Sequence, residues 1–220
     1  MRKLIEGMIE FRNNLRDDYR ERFARLATTQ TPDAIFFACS DSRVVPNLFA
    51  STDPGDLFVS RSVGNLVAPS SPDGMSTADE AEAAAIEFAL LKLGVRDAVV
   101  CGHSNCGAMQ ALLEGVDSPE LPNLTRWLRH GRPALQRWRE GKSLEQDLPA
   151  ADQISQLNVL AQMEHVRSYP AVRAAEASGR FAVHGLWFDI RKADVYAYEP
   201  ELHRFVLLDR TEADRLIARL

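Results

Sequence analysis

Two short stretches of this 220-residue chain carry the residue types that hold a metal and handle a proton. One is Cys39-Ser40-Asp41-Ser42-Arg43; the other is Gly102-His103-Ser104-Asn105-Cys106-Gly107, with His103 64 positions (103 − 39) beyond Cys39. Each follows an apolar run, Ala34 to Ala38 and Ala98 to Cys101, that reads as a buried strand. Both stretches therefore sit where a strand runs out into a loop, and in an open parallel sheet that edge is where ligands bind. Taken singly, Cys39 and Cys106 read as buried thiols and His103 as a core histidine. Together they give a zinc ion, one per chain, three protein ligands and leave its fourth tetrahedral position to water, as in a catalytic zinc site. Zinc makes hydroxide available near neutral pH. Two thiolates offset its double charge, so the expectation is a catalyst that favours mildly alkaline conditions. Arg43, two residues beyond Asp41, can hold that carboxylate in a planar two-point grip.

The elements that must position these residues follow from periodicity. Leu4, Met8, Phe11, Leu15, Tyr19, Phe23 and Leu26 recur at steps of three and four, predicting one amphipathic helix or two in line. On the residues alone this segment covers its own domain. Pro46 suits a first helical turn, and Leu57 to Arg61 reads as a second strand. Residues 68–74 read as a surface loop. A helix is expected from Thr77, with Glu80 at capping-box spacing, to Leu93, stopped by Gly94. After the strand ending at Cys101 come a helix from Cys106 to Leu113, a charged stretch holding Trp127 and Trp138, and a helix from Ile154 to Ser168. Phe181 to Phe188 reads as a buried strand, Val195 to Tyr198 and Phe205 to Leu208 as a hairpin, and Thr211 to Leu220 as a last helix. Strands alternating with helices predict an α/β fold with a largely parallel sheet.

Hydrophobic residues make up 45% and charged residues 26%, and the length suits one domain over residues 1–220. That domain divides into a helical arm, 1–26, and an α/β core, 27–220. The net charge of −5 argues against nonspecific nucleic-acid binding. No stretch approaches the ~20 apolar residues of a membrane span, and no secretory signal is visible, so a cytoplasmic location is expected. The three cysteines, at 39, 101 and 106, do not form a disulfide framework. Cys101, inside an apolar run, reads as a buried thiol. His130, His165, His184 and His203 have no partner motif.

The pattern C-x-D-S-R followed by H-x-x-C within G-H-S-N-C-G closely resembles the β-class carbonic anhydrases, from about Gln30 to Leu113 and weakly through the C-terminal strands. The resemblance implies reversible hydration of carbon dioxide to bicarbonate and a proton. It implies a parallel core in strand order 2-1-3-4 with an added edge strand, so that both halves of the site meet at the topological switch point. Asp41, gripped by Arg43, is implied to accept the proton of the nucleophile and direct its lone pair. In a second state Asp41 leaves Arg43 and binds zinc itself. Gln30, Phe58, Val63, Phe88 and Gly107 match positions lining the substrate pocket of plant-type members, with Phe88 standing where many have tyrosine. The arm is implied to pack across a partner, giving a homodimer or larger assembly. An anion pocket known in some bacterial relatives gathers tryptophan, arginine and tyrosine; here Phe36, Arg61 and Phe188 take those places, so bicarbonate is not expected to inhibit through it.

Two other functions fit the same ligands. One is hydrolysis of carbonyl sulfide or carbon disulfide; the other is a non-catalytic zinc or bicarbonate-sensing role, against which Asp41 and Arg43 speak. A nucleobase deaminase is excluded because its His-x-Glu and Pro-Cys-x-x-Cys signatures are absent.

Overall fold

In the computed structural model, which describes residues 1–115 and 118–219, a six-stranded sheet carries the site. The chain begins with α1 (Arg2–Glu10), which runs through a π-helical turn at Phe11–Leu15 into α2 (Arg16–Leu26). Then follow β1 (Ala34–Cys39), α3 (Pro46–Phe49), β2 (Leu57–Ser62), α4 (Ala81–Glu87), β3 (Asp97–His103) and α5 (Gly107–Glu114). The second half holds α6 (Pro122–Leu128), α7 (Arg132–Arg139), α8 (Ala150–Arg167), α9 (Pro170–Ala177), β4 (Ala182–Asp189), β5 (Asp194–Glu199), β6 (Arg204–Leu207) and α10 (Arg210–Ile217). The expected last helix is α10; Leu220 lies outside the described residues.

The sheet order is β2-β1-β3-β4-β5-β6. The pairs β1–β2, β1–β3 and β3–β4 are parallel, giving the expected 2-1-3-4 core, and the C-terminal hairpin adds two antiparallel strands at one edge. All six residues of β1 are buried, as its unbroken apolar run requires of a strand covered on both faces. Strand alternation sends Ile35 and Phe37 into the larger core with Ile86, Val100 and Val159, and Phe36 and Ala38 into a smaller cluster with Val44, Cys101 and Phe188.

Helix α8 lies close against β3 and β4 because both strands present glycine to it. A Cβ on Gly102 meets Val159 Cγ2 at 2.7 Å, and one on Gly185 meets Met163 Sδ at 2.8 Å. That close approach matters for what α8 brings to the site.

Two predicted boundaries move. Thr77 does not cap α4: its hydroxyl donates to the Pro69 carbonyl at 2.8 Å, and Asp79 Oδ1 accepts the Ala81 N–H at 2.7 Å, so the helix starts at Ala81. Its far end widens into a π-helical turn, Phe88–Lys92, before Gly94 at φ +71°. Helix α8 starts four residues earlier than expected (154 − 150), behind Pro149. The arm does not cover its own domain, since neither α1 nor α2 has a buried residue. Only its base docks at home, where Arg22 donates to Asp53 Oδ2 at 2.8 Å and to the Pro54 carbonyl at 2.9 Å.

Candidate metal centre

Cys39 closes β1, His103 closes β3, and Cys106, still extended at ψ 118°, caps α5. Because β1 and β3 are neighbours whose onward connections leave to opposite sides, all three arrive at the switch point of the sheet. Their ligand atoms lie within 4.8 Å of one another, and all three side chains are buried. A tetrahedron with bonds of ~2.0–2.3 Å has edges of about 3.3–3.8 Å, so these atoms close on one ion with little movement.

The local hydrogen bonds test whether zinc fits. His103 is fully buried, and its Nδ1 lies 2.9 Å from the Ser104 carbonyl, which assigns the proton to Nδ1. Its Nε2 is then left as a buried acceptor with no partner among the described residues. Such a group is costly to bury unsatisfied, and a metal satisfies it. The Sγ of Cys39 accepts the backbone N–H of Gly64 at 3.3 Å and that of Asp41 at 3.4 Å. A hydrogen bond from the Cys106 thiol, with those of the two amides, holds the Cys39 thiol below its ordinary pKa. Cys106, facing that thiolate and buried, is pushed up in turn. Metal binding must release the shared proton, so affinity falls with acidity. Two sulfurs and one imidazole form a donor set suited to zinc.

Asp41 stands beside this cluster, its Oδ2 4.0 Å from His103 Nε2. Arg43 grips it with Nε on Oδ1 at 2.9 Å and Nη2 on Oδ2 at 2.7 Å. That grip holds the Asp41 carboxyl far below the usual carboxylate range. Arg61, reaching over from β2, donates to the carbonyls of Cys39, Asp41 and Val44 at 2.7–3.0 Å and so fixes the curl of the loop.

A stripe along α8 holds the remaining backbone. Asp152 accepts the Asn105 N–H at 2.6 Å, Ser155 donates to the His103 carbonyl at 2.8 Å, and Asn158 donates to the Gly64 carbonyl at 3.0 Å. These residues recur every three positions, one helical face turned to the loops. The sequence reading missed this stripe. Its only signal is polar residues inside an otherwise apolar helix face, and nothing local says which backbone groups they meet.

A cavity of about 330 Å³ opens beside the ligands, lined by Cys39, Ser40 and Asp41 and by Val63, Gly107, Ala108, Ala111 and Leu124. Val63 and Gly107 of the expected pocket residues are therefore here. Phe58 and Phe88 stack on each other, ring centres 5.9 Å apart, away from this cavity, and Gln30 is exposed. Cys101 is buried, pushed up to about 12 by burial, and belongs to no ligand group. None of the four other histidines lines the cavity. His165 Nδ1 lies 2.8 Å from the Val67 carbonyl, His184 pairs with Asp97 at 2.8 Å, and burial pushes His130 down to about 4.

A sequence model of the family described as carbonic anhydrase matches residues 34–195. The chain is 38% identical to the carbonic anhydrase of Pseudomonas aeruginosa, over 94% of this chain and 92% of that protein. The solved β-carbonic anhydrase CcaA superposes with a TM-score of 0.87 at 35% identity, covering 95% of this chain and 92% of that one. One of two tetrameric β-carbonic anhydrases from Sordaria macrospora superposes with a TM-score of 0.75 at 28% identity, covering 89% and 95%. With a matching family model, matching fold and a Cys–His–Cys centre at the switch point, the chain belongs to the β-class carbonic anhydrases, zinc-dependent enzymes of carbon dioxide hydration.

Proposed function

We propose that Asp41 and Arg43 are the catalytic pair of this carbonic anhydrase, working over zinc held by Cys39, His103 and Cys106. Zinc supplies the Lewis acidity that makes water a nucleophile near neutral pH. The observation that carries the reading is the 4.0 Å between Asp41 Oδ2 and the partnerless Nε2 of His103. It sets a carboxylate against the metal position. Ionised, Asp41 only accepts hydrogen bonds. It therefore selects a protonated oxygen and turns that oxygen's lone pair toward the cavity. Arg43 keeps Asp41 ionised and aimed. The cavity is walled largely by Val63, Ala108, Ala111 and Leu124, a surface suited to carbon dioxide, which carries no charge and little hydration. Stopped-flow carbon dioxide hydration by the zinc-loaded protein tests this, against carbonyl sulfide and carbon disulfide under the same conditions. Hydrolysis of either sulfur substrate without carbon dioxide hydration overturns it.

The assembly is proposed to be a homodimer or larger. Leu4, Ile5, Met8, Ile9, Phe11, Leu15 and Phe23 are all exposed on the arm, and Phe88 is 45% exposed at the turn after α4. An apolar face of that size calls for a partner, and a second copy of this chain supplies it. Gln30, Phe58 and Phe88, remote from this chain's cavity, are proposed to contact substrate in the neighbouring copy. Residues 1–220 are read as one such domain, with 1–26 as its arm.

The plant-type, non-allosteric subgroup is favoured by the packing around Arg61. Phe36 and Phe188 are 3% and 8% exposed, and Phe49 stacks on Phe188 with ring centres 4.8 Å apart. A bicarbonate ion there meets phenyl rings, and Arg61 already donates to backbone carbonyls through Nε and Nη2.

A further inference from the structure

We propose that Asp152, on the first turn of α8, is the positioning residue that keeps Arg43 locked on Asp41, acting through the backbone of Asn105. This rests on the catalytic reading of Asp41 and Arg43.

Arg43 and Asp41 are two residues apart on one exposed loop, so their mutual grip says nothing about where the pair stands in the fold. Among the described residues, the guanidinium has one hydrogen bond to anything else: Nη2 donates to the Asn105 carbonyl at 3.0 Å. Arg43 itself is 43% exposed along its side chain, so no packing immobilises it. The orientation of the Asn105 carbonyl thus sets where Arg43 stands, and with it which way Asp41 faces.

Asn105 holds that orientation in a conformation it does not favour. It lies at φ +53°, in the left-handed region that side chains other than glycine rarely adopt, although asparagine tolerates it better than most. Its N–H is held by a neighbouring element, and the acceptor is Asp152 Oδ1 at 2.6 Å. Asp152 is only 9% exposed, and burial, followed by the nearby charge of Asp189, raises its pKa. A carboxylate is retained in an unfavourable setting to make that bond. The relay runs from Asp152 to the Asn105 N–H, across the fixed φ and ψ of Asn105 to its carbonyl, and from there to Arg43 and Asp41. It starts on a helix pressed against the sheet by Gly102 and Gly185, which makes its origin rigid. The backbone at His103 and at Gly64, whose N–H meets Cys39, is held by other members of the stripe, Ser155 and Asn158, whereas Cys106 follows Asn105 directly, so zinc content is measured beside the relay.

The test uses zinc-loaded full-length protein and three variants. Asp152→Asn keeps an acceptor at the same place; Asp152→Ala removes it; Asp152→Leu removes it while filling the volume, should the alanine variant fold poorly. Two readouts are taken: hydrogen exchange of the Arg43 Nε–H by NMR, and kcat/KM for carbon dioxide hydration, with zinc content measured throughout. Expected are full zinc content in all three, Arg43 Nε–H exchange accelerated about tenfold and kcat/KM lowered about tenfold in the Ala and Leu variants, and both quantities within about twofold of wild type in the Asn variant. Unchanged Arg43 exchange in the Ala and Leu variants overturns the proposal, and so does an Asn variant as impaired as they are. Because the exchange measurement requires no turnover, it stands apart from any failure of the hydration assay itself.

Discussion

The backbone N–H of Gly64 points at the Sγ of Cys39 from 3.3 Å, a hydrogen bond to a metal ligand made by a residue with no side chain of its own. Gly64 sits at φ +76°, and a Cβ there meets the Ala108 Cβ at 2.9 Å and Met109 Cε at 3.2 Å. Gly64→Ala is therefore expected to displace the amide, weaken zinc binding about tenfold and destabilise the fold by about 1–3 kcal/mol. Competition against a chelator and urea denaturation measure the two effects separately.

Asp41→Asn should retain zinc and lose hydration activity by about a hundredfold or more, because an amide can donate where the carboxylate can only accept. Arg43→Ala should be similarly damaging, since Asp41, whose Oδ2 stands 4.0 Å from His103 Nε2, is then released toward the metal position. Zinc analysis with stopped-flow kinetics checks both, and wild-type turnover in either variant removes the pair from the mechanism.

Glu82 gives a pH dependence of stability with a definite sign. Its side chain is 7% exposed, Oε2 has no partner among the described residues, and burial, followed by the charge of Asp79, raises its pKa in the folded state. The folded protein then binds that proton more tightly than the unfolded chain. Its contribution is fully present below the unfolded value of about 4.3 and is lost as pH rises through the folded pKa. Glu82→Gln should match wild type near the acid end and be the more stable of the two at pH 8, by urea denaturation across the range.

Deleting residues 1–15 removes six of the exposed apolar side chains of the arm, Leu4, Ile5, Met8, Ile9, Phe11 and Leu15, and leaves the Arg22 anchor in place. The shortened chain is expected to dissociate or aggregate, read by sedimentation. A soluble, fully active protein with an unchanged number of subunits per particle contradicts the arm's assignment to a second copy.

Crystals soaked in bicarbonate at neutral pH should show no anion beside Arg61 and Asp41 still on Arg43. Phe36→Trp with Phe188→Tyr supplies the missing polar handles and is the variant in which an anion site should appear. An anion at Arg61 of the unaltered protein, with Asp41 on the metal, sinks the subgroup assignment.

The ligands were legible because zinc demands particular residue types, and because β1 and β3 are runs apolar enough to be read without a partner. What escaped was whatever depends on meeting something distant. Thr77 has the spacing of a cap, yet its hydroxyl goes to the Pro69 carbonyl, and it is Asp79 that accepts the Ala81 N–H where α4 begins. Asp152 and Asn158 look like ordinary polar interruptions of a helix until the sheet brings Asn105 and Gly64 beside them. Phe58 and Phe88 were placed in the pocket by resemblance; in one chain they stack on each other outside it. Side-chain chemistry survives in sequence, whereas backbone acceptors and donors, identical at every residue, carry no label until the chain is folded.

The ligands also impose an order of events. Cys39 leaves the ribosome 64 residues (103 − 39) ahead of His103 and waits, a lone thiol, for its partners. It cannot acquire them until β3 has come alongside β1 in the register Ala34↔Asp97 to Ala38↔Cys101. A slip of one residue turns every side chain of the strand to the opposite face and takes Cys39 away from His103 and Cys106. Zinc binding is thus tied to the pairing of these two strands: a chain paired out of register lacks the three-ligand site.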